Sequence, residues 1–134
     1  FELIRHKAYQ WGGRQPSVLG LWERTKDRFA GCVVIVEQVG EELQGRIAEV
    51  PVPMRRVGWT VGDVKWKGIR KSGRGQYGLM DLFKSYDTSH TELLQSKYQP
   101  AQLCFIGDDR CYVVPRGEVA GSTTYWVRIG SSRT

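Results

Sequence analysis

Two scarcities set the first limits on this chain. No apolar run approaches the roughly 20 residues of a membrane-spanning helix, and the longest aliphatic run is Val33 to Val36. Histidine occurs only as His6 and His90, and neither has a Ser, Cys or carboxylate beside it in the pattern of a catalytic triad. Cysteine occurs three times, as Cys32, Cys104 and Cys111, so the three cannot all pair within one chain. No C-x-x-C or Cys/His cluster has zinc-site spacing, so neither a structural metal nor a cofactor is expected. An initiating Met is missing as well. The chain opens at Phe1, as a trimmed or processed product would, with a removed signal peptide as one source of such an end.

What remains is the composition of one globular domain. The 134 residues are 40% hydrophobic and 25% charged, and aliphatic and aromatic residues recur throughout, which argues against disorder. A chain of this length buries enough surface to fold without staples. Twenty Lys and Arg against fourteen Asp and Glu leave a net charge of +6. That sign favours anionic partners such as nucleic acid, anionic lipid or an acidic protein. The basic residues are spread widely, which also fits plain solubility.

The dominant period is two, with turns every eight to twelve residues, and this predicts an antiparallel β-barrel or sandwich. We expect a mainly β fold: one up-and-down barrel or sandwich of about seven to eight strands with one short helix. An arm (residues 1–17) precedes the domain (18–130), and a tail (131–134) follows it. Val18 to Glu23 reads as the first strand. Cys32–Val39 and Leu43–Val50 form a hairpin in which Val39 meets Leu43 and Ile35 opposes Ile47, bringing the large aliphatics to one face. Ser89 and Glu92 have capping-box spacing, which predicts a short helix from about His90 to Tyr98. Leu103–Val114 is a hairpin with two registers. One sets Cys104 opposite Val113 and keeps reduced cysteines on an apolar face; the other sets Cys104 opposite Cys111 and permits a disulfide. Thr123–Ile129 is the last strand.

Val57–Tyr77, VGWTVGDVKWKGIRKSGRGQY, is the most unusual stretch. A two-residue turn at Gly62-Asp63 pairs Val61 with Val64 and Trp59 with Trp66. The two indoles then share one face, while Thr60, Lys65 and Lys67 take the other. A single-strand stacking platform wants rings and cations on the same open surface, so the paired indoles read more simply as a core face or pocket wall. The glycine-rich Gly68–Gln76 segment carries Arg70, Lys71 and Arg74. It lacks the lysine-serine ending of a P-loop, which leaves a solvated basic loop or a phosphate contact. Asp63, Asp108 and Asp109 fall in turns, where Asp serves the backbone. Asp81 is the exception. It shares a face with Leu79 and Phe83, either as an acid in an apolar pocket or as the partner of a basic side chain such as Arg46 or Arg128.

Gly20-Leu21-Trp22 near one end, with Arg128 following Trp126 in the last strand, resembles the lipocalin or calycin arrangement. In that superfamily a first-strand Gly-x-Trp packs at the closed end of an up-and-down barrel, under a basic residue of the last strand. More of the chain is similar to a family of small exported bacterial β-barrels, lipocalin-like in shape and of no established activity. The shared pattern is Gly20-x-Trp22, the stretch from Val33 to Ile47, and the closing TTYWVRI. The resemblance implies an exported or periplasmic protein. A barrel of about eight strands has room for packed side chains or one small ligand, so we expect a non-catalytic, lipocalin-like barrel that holds a small apolar or amphipathic ligand against Trp22, Trp59, Trp66, Phe83, Tyr125 and Arg128. The alternatives are a nucleic-acid or other polyanion module, using Lys65, Lys67, Arg70, Lys71 and Arg74 with Arg55 and Arg56 adjoining, and a protein-interaction module using exposed loops.

Overall fold

The computed structural model describes residues 16–89, 92–116 and 123–130. Most of the predicted arm, with His6, and all of the predicted tail lie outside the described residues, as does His90. Eight strands follow one another round a closed antiparallel barrel: β1 (Gly20–Thr25), β2 (Val33–Val39), β3 (Glu42–Glu49), β4 (Val64–Gly73), β5 (Gln76–Tyr86), β6 (Leu93–Phe105), β7 (Arg110–Pro115) and β8 (Thr124–Gly130). β8 pairs back onto β1, with Trp22 opposite Arg128 and Arg24 opposite Trp126. The fold is therefore the barrel of the two expected architectures. Closure leaves no sheet edge along the barrel wall.

One helix occurs among the described residues, and it is not the predicted one. It is α1 (Val52–Arg55), in the connection from β3 to β4, with Met54 buried beneath it. The predicted helix near His90–Tyr98 is largely strand β6. The capping box fails because Asp87 takes its place: the Asp87 carboxylate accepts the Glu92 N–H at 3.1 Å and the Ser89 hydroxyl at 3.0 Å. The backbone N–H of Asp87 also donates to Glu92 O, which closes a turn into a strand paired along all of upper β5. Ladder hydrogen bonds to β5 outweigh the local helix signal.

Three other registers differ from expectation. The β2–β3 hairpin closes over two residues, Gly40 and Glu41, with Gly40 at φ +65°. That sets Val39 opposite Glu42 and turns Val34, Val36, Gly45 and Ile47 inward, with Ile35 outward. In the β6–β7 hairpin Phe105 opposes Cys111 and Cys104 opposes Tyr112, midway between the two predicted registers. Cys111 then faces the core and Cys104 the other side, and all three cysteines are free. The turn at Gly62-Asp63 exists, since Asp63 N donates to Thr60 O and its carboxylate accepts from Thr60. It does not close a Trp59–Trp66 hairpin. Gly62 and Asp63 bond instead to Ile47 of β3, and Trp59 lies before β4 in a loop.

Large rings fill the interior. Trp22, Trp66 and Trp126 are all essentially without solvent exposure. Trp66 and Trp126 meet edge to face at 4.8 Å across the waist, and Trp22 meets Phe105 at 5.5 Å below them. One end is closed by Pro16–Leu19. Trp22 Nε1 donates to Val18 O at 2.9 Å, and the Tyr77 hydroxyl to Pro16 O at 3.3 Å. The Arg128 guanidinium lies 4.4 Å over the Trp22 ring and donates to Ser17 O, Leu19 O and Asp108 O. The contact implied by the resemblance is thus present, and such contacts contribute about 0.5–2 kcal/mol.

Gly45 makes room for the waist. A Cβ there would sit 2.8 Å from Trp66 Cε3 and 2.9 Å from Val34 Cγ1. Gly45→Ala is expected to lower unfolding stability by about 1–3 kcal/mol through overpacking, measured by denaturant titration. Gly40→Ala, with open space around its Cβ and a positive φ, tests backbone strain separately.

Candidate binding site at the barrel mouth

In an up-and-down barrel alternate connections gather at the same end. The β1–β2, β3–β4, β5–β6 and β7–β8 connections therefore form a mouth opposite the closed end. A cavity of about 160 Å³ lies there.

Its shape follows from one extra residue in β4. Gly45 pairs with Trp66, and the next residue of β3, Arg46, pairs with Val64, so Lys65 is a bulge residue. A bulge breaks the alternation of faces, and Lys65 and Trp66 are both buried, at 5% and 0% exposure. Trp66 fills the waist while Lys65 reaches the mouth. This corrects the expectation that Lys65 faces water with Lys67. The Lys65 ammonium donates to Asp81 Oδ1 at 2.6 Å and to Leu82 O at 2.9 Å. Asp81 is flanked by Trp66 on β4 and Gln99 on β6. Its cation is Lys65, whereas Arg46 pairs with Glu37 and Arg128 lies at the closed end.

Trp59 forms one wall. Its Nε1 donates to the Tyr86 hydroxyl, and its ring faces two ammonium groups, Lys65 at 5.2 Å and Lys84 at 4.5 Å. Lys84 also donates to Gly58 O at 2.9 Å and lies 3.5 Å from the Asp63 carboxylate. Burial raises the Tyr86 phenol above its ordinary range, which keeps it neutral. Across the cavity, Arg24 Nε donates to both carboxylate oxygens of Asp27 at 3.0 Å. Its guanidinium lies 5.3 Å from the Phe29 ring and 5.9 Å from that of Trp126.

Among the described residues, two buried side-chain polar atoms lack a hydrogen-bond partner: Trp66 Nε1 and Gln99 Oε1. Gln99 is 3% exposed and lines the cavity. An unpaired buried amide oxygen costs about 1–3 kcal/mol, which makes it notable in a native wall.

Of the six ligand-site residues expected from sequence, Trp59 and Phe83 meet at this cavity. Trp66 is waist packing, and Trp22 with Arg128 belongs to the closed end. Tyr125 does not line the interior. It stands on the outer face beside Tyr112, with the Lys26 ammonium 4.8 Å over its ring. Arg24, Phe29, Lys84 and Gln99 were not legible as site residues. The one local signal was Asp81, a carboxylate among apolar neighbours. Of the basic set, Lys67, Arg70, Lys71 and Arg74 are exposed, Lys67 lying 3.9 Å from the Tyr98 ring. Arg55 and Arg56 are exposed on and beside α1, at the mouth end, whereas Arg74 turns at the closed end.

No group of three or more His, Cys, Asp or Glu close enough to hold a metal occurs among the described residues. Burial pushes the Cys32 thiol up to about 11 and raises Cys111 further, so neither is a ready nucleophile at neutral pH.

The buried ion pair generates a stability prediction. Lys65→Met leaves the Asp81 carboxylate without its cation and is expected to cost about 3 kcal/mol in denaturant unfolding. Lys65→Met with Asp81→Leu should recover most of that loss, because no uncompensated charge remains.

Compared with protein-family models, curated proteins and solved structures, the chain finds no match. What stands is an eight-stranded antiparallel barrel with a closed end and a polar-aromatic mouth.

Proposed function

We propose that the protein is a non-catalytic, lipocalin-like binding barrel that takes a small amphipathic ligand at its mouth. The supporting observation is the cavity itself, where the rings of Phe29, Trp59 and Phe83 stand beside the buried Gln99 side chain, whose amide oxygen has no partner among the described residues. Ring faces favour an apolar body, and an unpaired buried amide oxygen favours a hydrogen-bond donor on the same molecule. Size narrows the class. About 160 Å³ is roughly five waters of liquid volume and falls below the usual 300–1,000 Å³ of drug-sized pockets. With three indoles filling the barrel below, a long acyl chain has no room.

The test is a nuclear magnetic resonance titration with benzyl alcohol, up to millimolar concentration. The Trp59 indole and Gln99 carboxamide signals should move, while the Trp22 indole N–H stays in place. Unmoved Trp59 and Gln99 signals with benzyl alcohol, benzoate and benzylammonium alike would reject the mouth as a binding site.

A second reading, polyanion binding, is favoured by one observation. Lys67, Arg70, Lys71 and Arg74 are exposed on β4 and its turn into β5, and none forms an ion pair among the described residues. Affinity for a mixed-sequence oligonucleotide should then fall steeply with salt. Arg70→Ser with Lys71→Ser should flatten that slope by about two counterions. Binding indifferent to salt concentration sinks this reading.

A further inference from the structure

We infer that the mouth cavity selects a small carboxylate, held on the terminal Nη groups of Arg24; this deepens the binding proposal above and rests on it. The cavity wall carries three cations, Arg24, Lys65 and Lys84, against one carboxylate, Asp81. The balancing carboxylates, Asp27 and Asp63, are not part of that wall. They are 32% and 26% exposed and draw on their cations from the solvent side. Each of the three cations thus keeps a carboxylate within 3.5 Å, so what distinguishes them is the donors each has left rather than net charge.

The three cations are not equivalent. Lys65 is committed to Asp81 and Leu82 O, with the Trp59 ring beside it. Lys84 is committed to Gly58 O, with Asp63 nearby and Trp59 beside it. Arg24 engages Asp27 through Nε, and no acceptor among the described residues engages its Nη groups. The adjacent Phe29 and Trp126 rings and the Asp27 contact hold the guanidinium plane in place before any ligand arrives. A planar fork whose two ends meet no described acceptor matches a carboxylate, which accepts two parallel N–H bonds. The rings of Phe29 and Trp59 then flank the organic body.

The experiment compares three probes of similar size: benzoate, benzamide and benzylammonium. Titrations follow the Trp59 indole N–H, and amide spectra confirm the fold of each variant. Benzoate is expected to bind roughly ten-fold or more tightly than the other two, the difference one charge-assisted contact makes. Arg24→Gln should abolish that preference with little change for benzamide. Arg24→Lys, which keeps the charge without the fork, should retain only part of it. If Arg24→Gln fails to fold, the wild-type ranking and Arg24→Lys decide the matter. Benzamide or benzylammonium binding as tightly as benzoate overturns the carboxylate inference and leaves the binding site standing. An undiminished benzoate preference in folded Arg24→Gln overturns the role of Arg24. Silence from all three probes removes both the inference and the site beneath it.

Discussion

One inserted residue in β4 governs the interior of this barrel. The bulge at Lys65 sends two consecutive side chains to the same side of the sheet. Regular alternation would have placed Lys65 in solvent and left Asp81 beside Trp66 and Gln99 with no cation. With the bulge, an indole fills the waist and an ammonium group reaches the mouth from adjoining positions. The pairing of Trp66 with Gly45, which offers no Cβ, then lets the ring lie close to β3 and meet Trp126.

The two ends of the barrel use cations against indoles in different ways. At the closed end Arg128 covers Trp22 and spends its donors on three backbone carbonyls, so the guanidinium acts as a strap across Pro16–Leu19. At the mouth Lys65 and Lys84 stand against Trp59 and each holds a carboxylate or carbonyl. Arg24, lining the cavity, engages Asp27 through Nε and no acceptor among the described residues through its Nη groups. Arg128 is thus spent on backbone carbonyls while Arg24 is not, and this asymmetry separates a structural tryptophan from one beside a cavity.

Much of the architecture was legible in the sequence because it depends on period and punctuation. Alternating Val33–Val39, the glycine-marked turns and the terminal Thr123–Ile129 stretch sufficed for an antiparallel barrel or sandwich of about seven to eight strands. Trp59 and Trp66 are buried as expected, but not through the hairpin that the expectation rested on, since Trp59 lies in the loop before β4. The details that make the site were not legible. A single-residue bulge has no marker in "DVKWKG", and it reversed the placement of Lys65. The β2–β3 register moved by one residue because Gly40 permits a two-residue loop. Ser89 and Glu92 looked like a helix cap because nothing local reveals that Asp87 captures the Glu92 N–H. Arg24 reaches the mouth through the pairing of β1 with β8, strands at opposite ends of the barrel's sequence, and Gln99 through the pairing of β6 with β5, a strand where a helix was expected up to Tyr98.

Closure by β1 on β8 has a temporal consequence. Thr25 reaches Tyr125, 100 positions along the chain, and the ladder between these strands cannot form until both exist. Hairpins from β2 to β7 form from near neighbours, so during synthesis on the ribosome the barrel waits as an open sheet with two unpaired borders. Such high contact order slows the final step, and the nascent chain is most exposed to misassociation just before β8 emerges.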